Sequence, residues 1–270
     1  VDWSQTAVLH HHAAFDAAIL NWHYGVRPRF IFDTLSMARQ VLGNHLSVSL
    51  DAVRRHFGMP SKVTPYHLFK NKHWHEIAPE VRQLIGDGAR DEVESIWQIF
   101  QLLGRNFPQE EYEVIDTTIR MFTEPVLRAD RKMLGDIWLA EDARKNKLME
   151  ELGVGEDDLQ SSGRFAQLLL AEGVEPEMKE GKNGEIYAFA KTDPFMTTLL
   201  EDADARIRGL AEARLGLKST YRQSRVETLG WMASRGSLPV YLNMYGAHTT
   251  RWSGGDKVNW QNNDAAIEKA

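Results

Sequence analysis

Apolar residues recur along the chain in short runs at helical spacing, separated by breaks that carry glycine and proline. Phe15, Ile19, Leu20 and Trp22 fit one face of a short amphipathic helix that follows His10-His11-His12. Phe30-Ile31-Phe32 reads as a strand. Asp33-Thr34 is positioned to cap a helix over Leu35–Leu42, which Gly43-Asn44 would end. Leu50, Val53 and Phe57 mark another short helix, stopped by Gly58 and Pro60. Residues 64–80 lack periodicity and read as loop with helical turns. A strong pattern then runs from Asp91 to Leu103, with 93, 96, 97, 100 and 103 as the expected buried face. Asp91 and Glu92 would begin that helix, where carboxylates favour its dipole.

Asn106-Phe107-Pro108 breaks the chain. A helix with Tyr112, Ile115, Ile119, Met121 and Phe122 apolar follows, up to Pro125. The longest helical pattern spans about Arg131 to Leu152. Its apolar stripe thins between Glu141 and Lys147, so its middle is expected to be less buried than its ends. Arg144, Lys145, Lys147, Glu150 and Glu151 are assigned to its solvated side. Ser161 or Ser162 caps the next helix. Residues 172–186 have the composition of a linker. Helices follow from Thr192-Asp193-Pro194 and from Ala203 to Leu215, the latter burying Ile207, Leu210, Ala211 and Leu215. Residues 238–245 alternate loosely, as a strand does.

Composition narrows the picture. The 270 residues are 43% hydrophobic and 26% charged, enough for one large domain or two to three small ones. A net charge of -6 argues weakly against a generic polyanion binder, although local patches grip DNA regardless of the total. With no cysteine, a disulfide scaffold and a cysteine-ligated zinc site are excluded. No apolar run approaches a membrane span and no signal segment opens the chain, so a cytoplasmic protein of a bacterial or phage-infected cell is the expectation, without a membrane partner. The chain starts at Val1 and both ends read as cuts through something longer, a processed or recombinant N-terminus being the alternative.

The most unusual chemistry lies in Gly246-Ala247-His248-Thr249-Thr250-Arg251-Trp252-Ser253-Gly254-Gly255-Asp256-Lys257-Val258-Asn259-Trp260-Gln261-Asn262. It is poor core material. Arginine and lysine hold phosphates, amides read base edges and indoles stack. A polar hairpin with two buried tryptophans and a nucleic-acid contact both fit. Elsewhere, His10-His11-His12 with Asp16 reads either as surface histidines or as a metal site, and His73-Trp74-His75-Glu76 reads as ordinary surface.

Thr250-Arg251-Trp252-Ser253 followed by Asp256-x-Val258-Asn259-Trp260-Gln261-Asn262 resembles the segment leading into the palm of family A DNA polymerases, the phage-type members above all. Thr250 stands where that family usually has glycine, a costly choice if the backbone there needs positive φ. Other motifs follow in family order. His12-x-x-Phe15-Asp16 resembles the second motif of 3'-5' proofreading exonucleases, with histidine replacing the usual asparagine. Phe32-Asp33-Thr34, Ser49-Leu50 and Ser61-Lys62 resemble the segment after it. Asp91-Glu92-Val93-Glu94 resembles the third motif. Aligned on Glu92, Gly88 takes the place of its tyrosine; aligned on Asp91, Asp87 does. Arg214-Leu215-Gly216-Leu217-Lys218-Ser219-Thr220 resembles the end of the thumb.

The resemblance implies an α/β chain: a partial RNase H-like 3'-5' exonuclease domain over 1–105, a helical thumb over 106–215, and the first strands of a polymerase palm from 216 to 270. It implies Asp16, Asp91 and Glu92 as catalytic acids, Asp16 and Asp91 holding Mg2+. It also implies Arg251, Gln261, Asn262, Lys218, Ser219 and Arg222 as contacts to primer-template DNA. Arg222, Arg225 and Arg235 are expected to add positive charge near the motif stretch. The parent enzyme would be a DNA-directed DNA polymerase, with deoxynucleotides as substrates and other replication proteins as partners. The first exonuclease motif is absent, since Asp2-Trp3-Ser4 lacks its glutamate, and Asp264 does not match the palm aspartate. The chain alone is therefore expected neither to proofread nor to polymerise. A non-catalytic DNA-binding protein or split polymerase subunit is the second reading, and a stand-alone nuclease the third.

Overall fold

The computed structural model describes all residues except Asn44, His45, Val63, Pro65 and Lys257, so the helix stop at Asn44 and the cation of Lys257 lie outside the described residues. In chain order the elements are β1 (Ala7–His10), α1 (Ala13–Tyr24), β2 (Phe30–Asp33), α2 (Thr34–Leu42), α3 (Leu50–His56), α4 (Pro79–Leu103) and α5 (Gln109–Thr123). Then come α6 (Arg131–Leu152), α7 (Glu156–Gln160), α8 (Ser162–Ala171), β3 (Met178–Gly181), β4 (Gly184–Tyr187), α9 (Pro194–Leu200), α10 (Ala205–Lys218) and α11 (Tyr221–Ala233). The last are β5 (Leu242–Asn243), β6 (Ser253–Gly254) and α12 (Ala265–Lys269). They form two compact units. The first joins Val1–Arg128 to Ser237–Asn263, and the second joins Ala129–Gly236 to Asp264–Ala270. These limits fall elsewhere than the breaks in the sequence pattern, because α5 packs on β2 and α1.

In the first unit β1 and β2 pair in parallel, Ala7 opposite Phe30 and His10 opposite Asp33, with α1 as the crossover. The strand at Ala7–His10 carries no signal in the sequence, because four residues are too few to show alternation. The helix α1 also buries a different face from the one expected. Ala13, Ala17 and Ala18 are buried, while Phe15 is 64% exposed. Small side chains let α1 lie close to its neighbours. Ile19 and Trp22 stay largely outside, although Trp22 Nε1 donates to the Thr123 carbonyl.

Asp33 organises this region. Its buried carboxylate accepts from the Leu35 and Ser36 amides and the Ser36 hydroxyl, capping α2. The same carboxylate accepts from the His12 and Ala13 amides at the start of α1. The outer edge of β2 is closed by α5, where Asp116 takes the Ile31 amide and Arg120 donates to the Pro28 and Arg29 carbonyls. The core gathers Ile31, Met37, Val53, Ile99, Ile115 and Met244.

The helix α4 begins at Pro79, far upstream of Asp91. Asp91 and Glu92 therefore sit mid-helix and cap nothing. Its buried face is Gly88, Ser95, Ile99 and Leu103, while Val93 and Trp97 point outward. Gly86 and Gly88 disguise the helix, since an interior glycine costs about 1 kcal/mol relative to alanine. Gly88 is nonetheless required, because Thr64 lies so close that a Cβ has no room. A tyrosine cannot stand there.

In the second unit α6 occupies the expected span, capped by Asp130. Its middle is the reverse of the expectation: Glu141 and Lys145 are buried with Leu134. Lys145 Nζ donates to the Ser219 carbonyl and to Gln223, so α6 and α11 meet through polar groups. Residues 172–186 hold the β3–β4 hairpin rather than a linker, tied down where Lys179 bonds both carboxylate oxygens of Asp193. Leu215 is half-buried, and Ala213, Arg214 and Leu217 join Ile207, Leu210 and Ala211 inside. The Arg214 guanidinium lies 4.6 Å from the Phe165 ring and 4.9 Å from Phe189. It donates to the Leu159 and Ser161 carbonyls, and burial pulls its pKa down to about 10.

Candidate nucleic-acid interface

The Gly246–Asn262 stretch belongs to the first unit. The loosely alternating run before it is strand only at Leu242–Asn243, which pairs antiparallel with Ser253–Gly254. Leu238 bridges to Leu127 instead, and the Val240 amide donates to the Met121 carbonyl. The loop between β5 and β6 folds back on itself: Gly246 N donates to Asn243 O, Thr250 N to Ala247 O, and Ala247 N to Arg251 O. Thr250 takes a φ of 60°, so the position where the resembling family has glycine is left-handed here with a β-branched residue in it. Its hydroxyl donates to the Thr249 carbonyl at 2.6 Å.

Arg251 stands exposed on this loop. Its Nε donates to Thr249 Oγ1 at 3.1 Å, and no carboxylate pairs with it among the described residues. Trp252 is 39% exposed and bonds Thr118 on α5 through Nε1, while Trp260 is half-buried, so the hairpin with two buried tryptophans does not form. After β6, Gly255 packs against the Tyr241 ring with no space for a Cβ; the close approach is to the chain's own tyrosine. Asn259 accepts from the Gln261 amide, and its carbonyl accepts from the Asn262 amide. Gln261 and Trp252 line the same groove. Sequence reasoning missed the residues that fasten this loop, Thr118 and Glu111, because they lie more than 100 positions away. The Tyr245 hydroxyl donates to Glu111, and burial with that bond raises the phenol well above its ordinary pKa.

The exonuclease-like acids lie in the same unit. Asp16 faces His10, Oδ2 to Nδ1 at 3.6 Å. Burial lowers the His10 pKa against the pull of Asp16 and Asp33. The imidazole of His11 lies between Thr34 and the Val48 carbonyl, and that of His12 bonds the Tyr241 hydroxyl. Asp91 pairs at 2.6 Å with Arg54, itself buried and bound to the Pro60 carbonyl. Glu92 accepts from Lys62, Tyr66 and Thr64. Burial opposes its ionisation, yet those three bonds prevail and hold the carboxyl below the usual range. Among the described residues no three His, Asp or Glu side chains gather as metal ligands. Asp91 is engaged by a guanidinium, so holding Mg2+ together with Asp16 would require its carboxylate to leave Arg54.

The thumb-like candidates belong to the second unit. Lys218 ends α10 exposed, without an ion pair among the described residues, and partial desolvation together with the charge of Arg214 lowers its ammonium pKa. Ser219 caps that helix, and its carbonyl holds Lys145. Arg222 is engaged by two acids, Asp264 at 2.9 Å and Glu141 at 3.4 Å. Arg225 lies over the Tyr221 ring and Arg235 over Trp231. The structure therefore joins Lys218 to Ser219 as an exposed helix end and removes Arg222 from the freely available cations.

No protein-family model matches the chain, and no curated protein matches it. A solved structure does: the POL domain of Pol1 from M. smegmatis in complex with DNA primer-template and dNTP, at 18% identity and a TM-score of 0.55. The match covers 97% of this chain and 44% of that one, so the chain spans less than half the length of the structure it resembles. At that identity the match establishes a shared mixed α/β fold. No helix among the described residues is long and apolar enough to cross a membrane.

Proposed function

We propose that this chain is part of a family A, phage-type DNA-directed DNA polymerase, and that its own contribution is to hold primer-template DNA. Residues 1–105 correspond in this reading to a partial exonuclease domain, 106–215 to a thumb, and 216–270 to the start of a palm. The observation that carries it is the Thr250–Trp252 loop, which extends an unpaired guanidinium beside a half-exposed indole on a fold shared with a DNA-bound polymerase domain. Arg251 lies against the primer strand in the minor groove, where pairing geometry rather than base identity is read. Gln261 and Asn262 contact the adjoining nucleotides, and Lys218 and Ser219 hold backbone phosphates. Nucleotidyl transfer from deoxynucleotides, its Mg2+ and contacts with other replication proteins belong to the whole enzyme.

A second reading, a non-catalytic primer-template binder or split subunit, is favoured by the ion pairs on Asp91 and Glu92, which occupy carboxylates a nuclease needs. Both readings share one test. Fluorescence anisotropy with a labelled primer-template duplex at several salt concentrations should show Arg251→Ala weakening affinity and lowering the salt slope by about 1. Unchanged affinity and slope would sink the assignment of Arg251.

A further inference from the structure

The helix α5 carries two differently used faces. Ile115 and Ile119 enter the core. Glu110, Glu113, Val114 and Met121 instead border a groove of about 550 Å3, closed by Leu242, Trp252 and Gln261. Its walls are mostly apolar and accessible, with Met121 40% exposed. On the other flank of Glu113 lies a second hollow of about 420 Å3, framed by the rings of Phe30, Phe32, Phe100, Phe107 and Tyr112. Glu113 is thus the ridge between two apolar hollows. Neither its carboxylate nor that of Glu110 makes an ion pair or hydrogen bond among the described residues.

An occupant must satisfy both features. Two carboxylates three residues apart repel a phosphodiester chain, so backbone phosphates stay off the α5 wall even where Trp252 and Gln261 meet a nucleotide at the rim. Apolar walls with a planar indole favour aliphatic or aromatic side chains, and unpaired carboxylates beside them favour a guanidinium or ammonium on an apolar stem. The face from 110 to 121 is about 16 Å long, the span of about five extended residues. We infer that this groove docks a short extended segment of a partner protein in which arginine or lysine alternates with apolar side chains, the cations facing Glu110 and Glu113 on α5 and the apolar groups facing Leu242 and Trp252. The inference goes beyond the DNA-binding reading and does not depend on it.

The probe is the blocked peptide acetyl-Leu-Arg-Leu-Arg-Leu-amide, titrated into the full chain by calorimetry and followed through the Trp252 indole N–H resonance, assigned with Trp252→Phe. Saturable binding that shifts that resonance, weakens with salt and falls at least tenfold in Glu110→Gln/Glu113→Gln is the expected result. The double variant removes only exposed charges and should retain primer-template affinity. No binding, equal binding of the Gln-substituted peptide acetyl-Leu-Gln-Leu-Gln-Leu-amide, or unchanged affinity in the double variant overturns the inference. Loss of DNA affinity in the double variant also overturns it, since the groove would then hold nucleic acid. Failure of the peptide leaves Arg251-dependent DNA binding standing, and failure of the latter leaves the peptide result standing.

Discussion

Thr250 is in a conformation that its side chain disfavours. A left-handed φ brings Cβ toward the following carbonyl, at about 1–2 kcal/mol for an L-residue. Thr250→Gly should therefore stabilise the chain by about 1 kcal/mol in urea unfolding, the relief of that strain less the extra backbone entropy of glycine. A loss of stability would mean that the hydroxyl bond to Thr249 outweighs the strain. Asp33 is the opposite kind of residue, one carboxylate serving two helix starts. Its capping of α2 was legible, because an acid directly before an apolar-periodic run is a local signal. Its service to α1 was not, because the pairing of β1 with β2 creates it. Asp91 and Glu92 divide similarly: the sequence places two acids before an apolar run, and only the fold supplies Arg54 and Lys62.

Among elements, α4 best separates pattern from packing. Of the expected face, Leu103 is buried and Ile96 and Phe100 pack against the core, whereas Val93 and Trp97 are solvated and the buried stripe runs through Ser95 and Ile99 instead. Ile99→Ala should cost about 2–5 kcal/mol in a denaturant melt, whereas Val93→Ala should stay within about 0.5 kcal/mol. Equal costs would restore the face read from periodicity. The error arose because the buried stripe includes Gly88 and Ser95, which no hydrophobic count registers. The same cause operates in α1, whose inner face is alanine, and in α6, whose middle is buried by Glu141 and Lys145. The hydrogen bonds from Arg144 outweigh burial and, with Arg222 nearby, hold the Glu141 carboxyl below its ordinary range. The β3–β4 hairpin had a local signal that composition obscured: Asn183-Gly184 is a strong hairpin turn, yet the glycines and charges around it read as a linker. Helices with continuous apolar stripes, α5, α9 and α10, were legible.

At the scale of the molecule, breaks such as Asn106-Phe107-Pro108 mark where elements end, not which core they join. The order of elements was readable, while membership of a unit depended on returns of the chain from far along the sequence. Each unit is sewn from two separated stretches, so the chain passes between them three times, at 128/129, 236/237 and 263/264. A nick is then not a separation. Cleavage at 128/129 should leave 1–128 and 129–270 co-eluting on native gel filtration, because 237–263 remains fastened to the first fragment through Val240, Tyr245 and Trp252. Only denaturant should part them, and early release of either piece would contradict this. It follows that no contiguous stretch can be expressed as either unit complete: a plasmid encoding the first unit would need a designed splice joining 128 to 237.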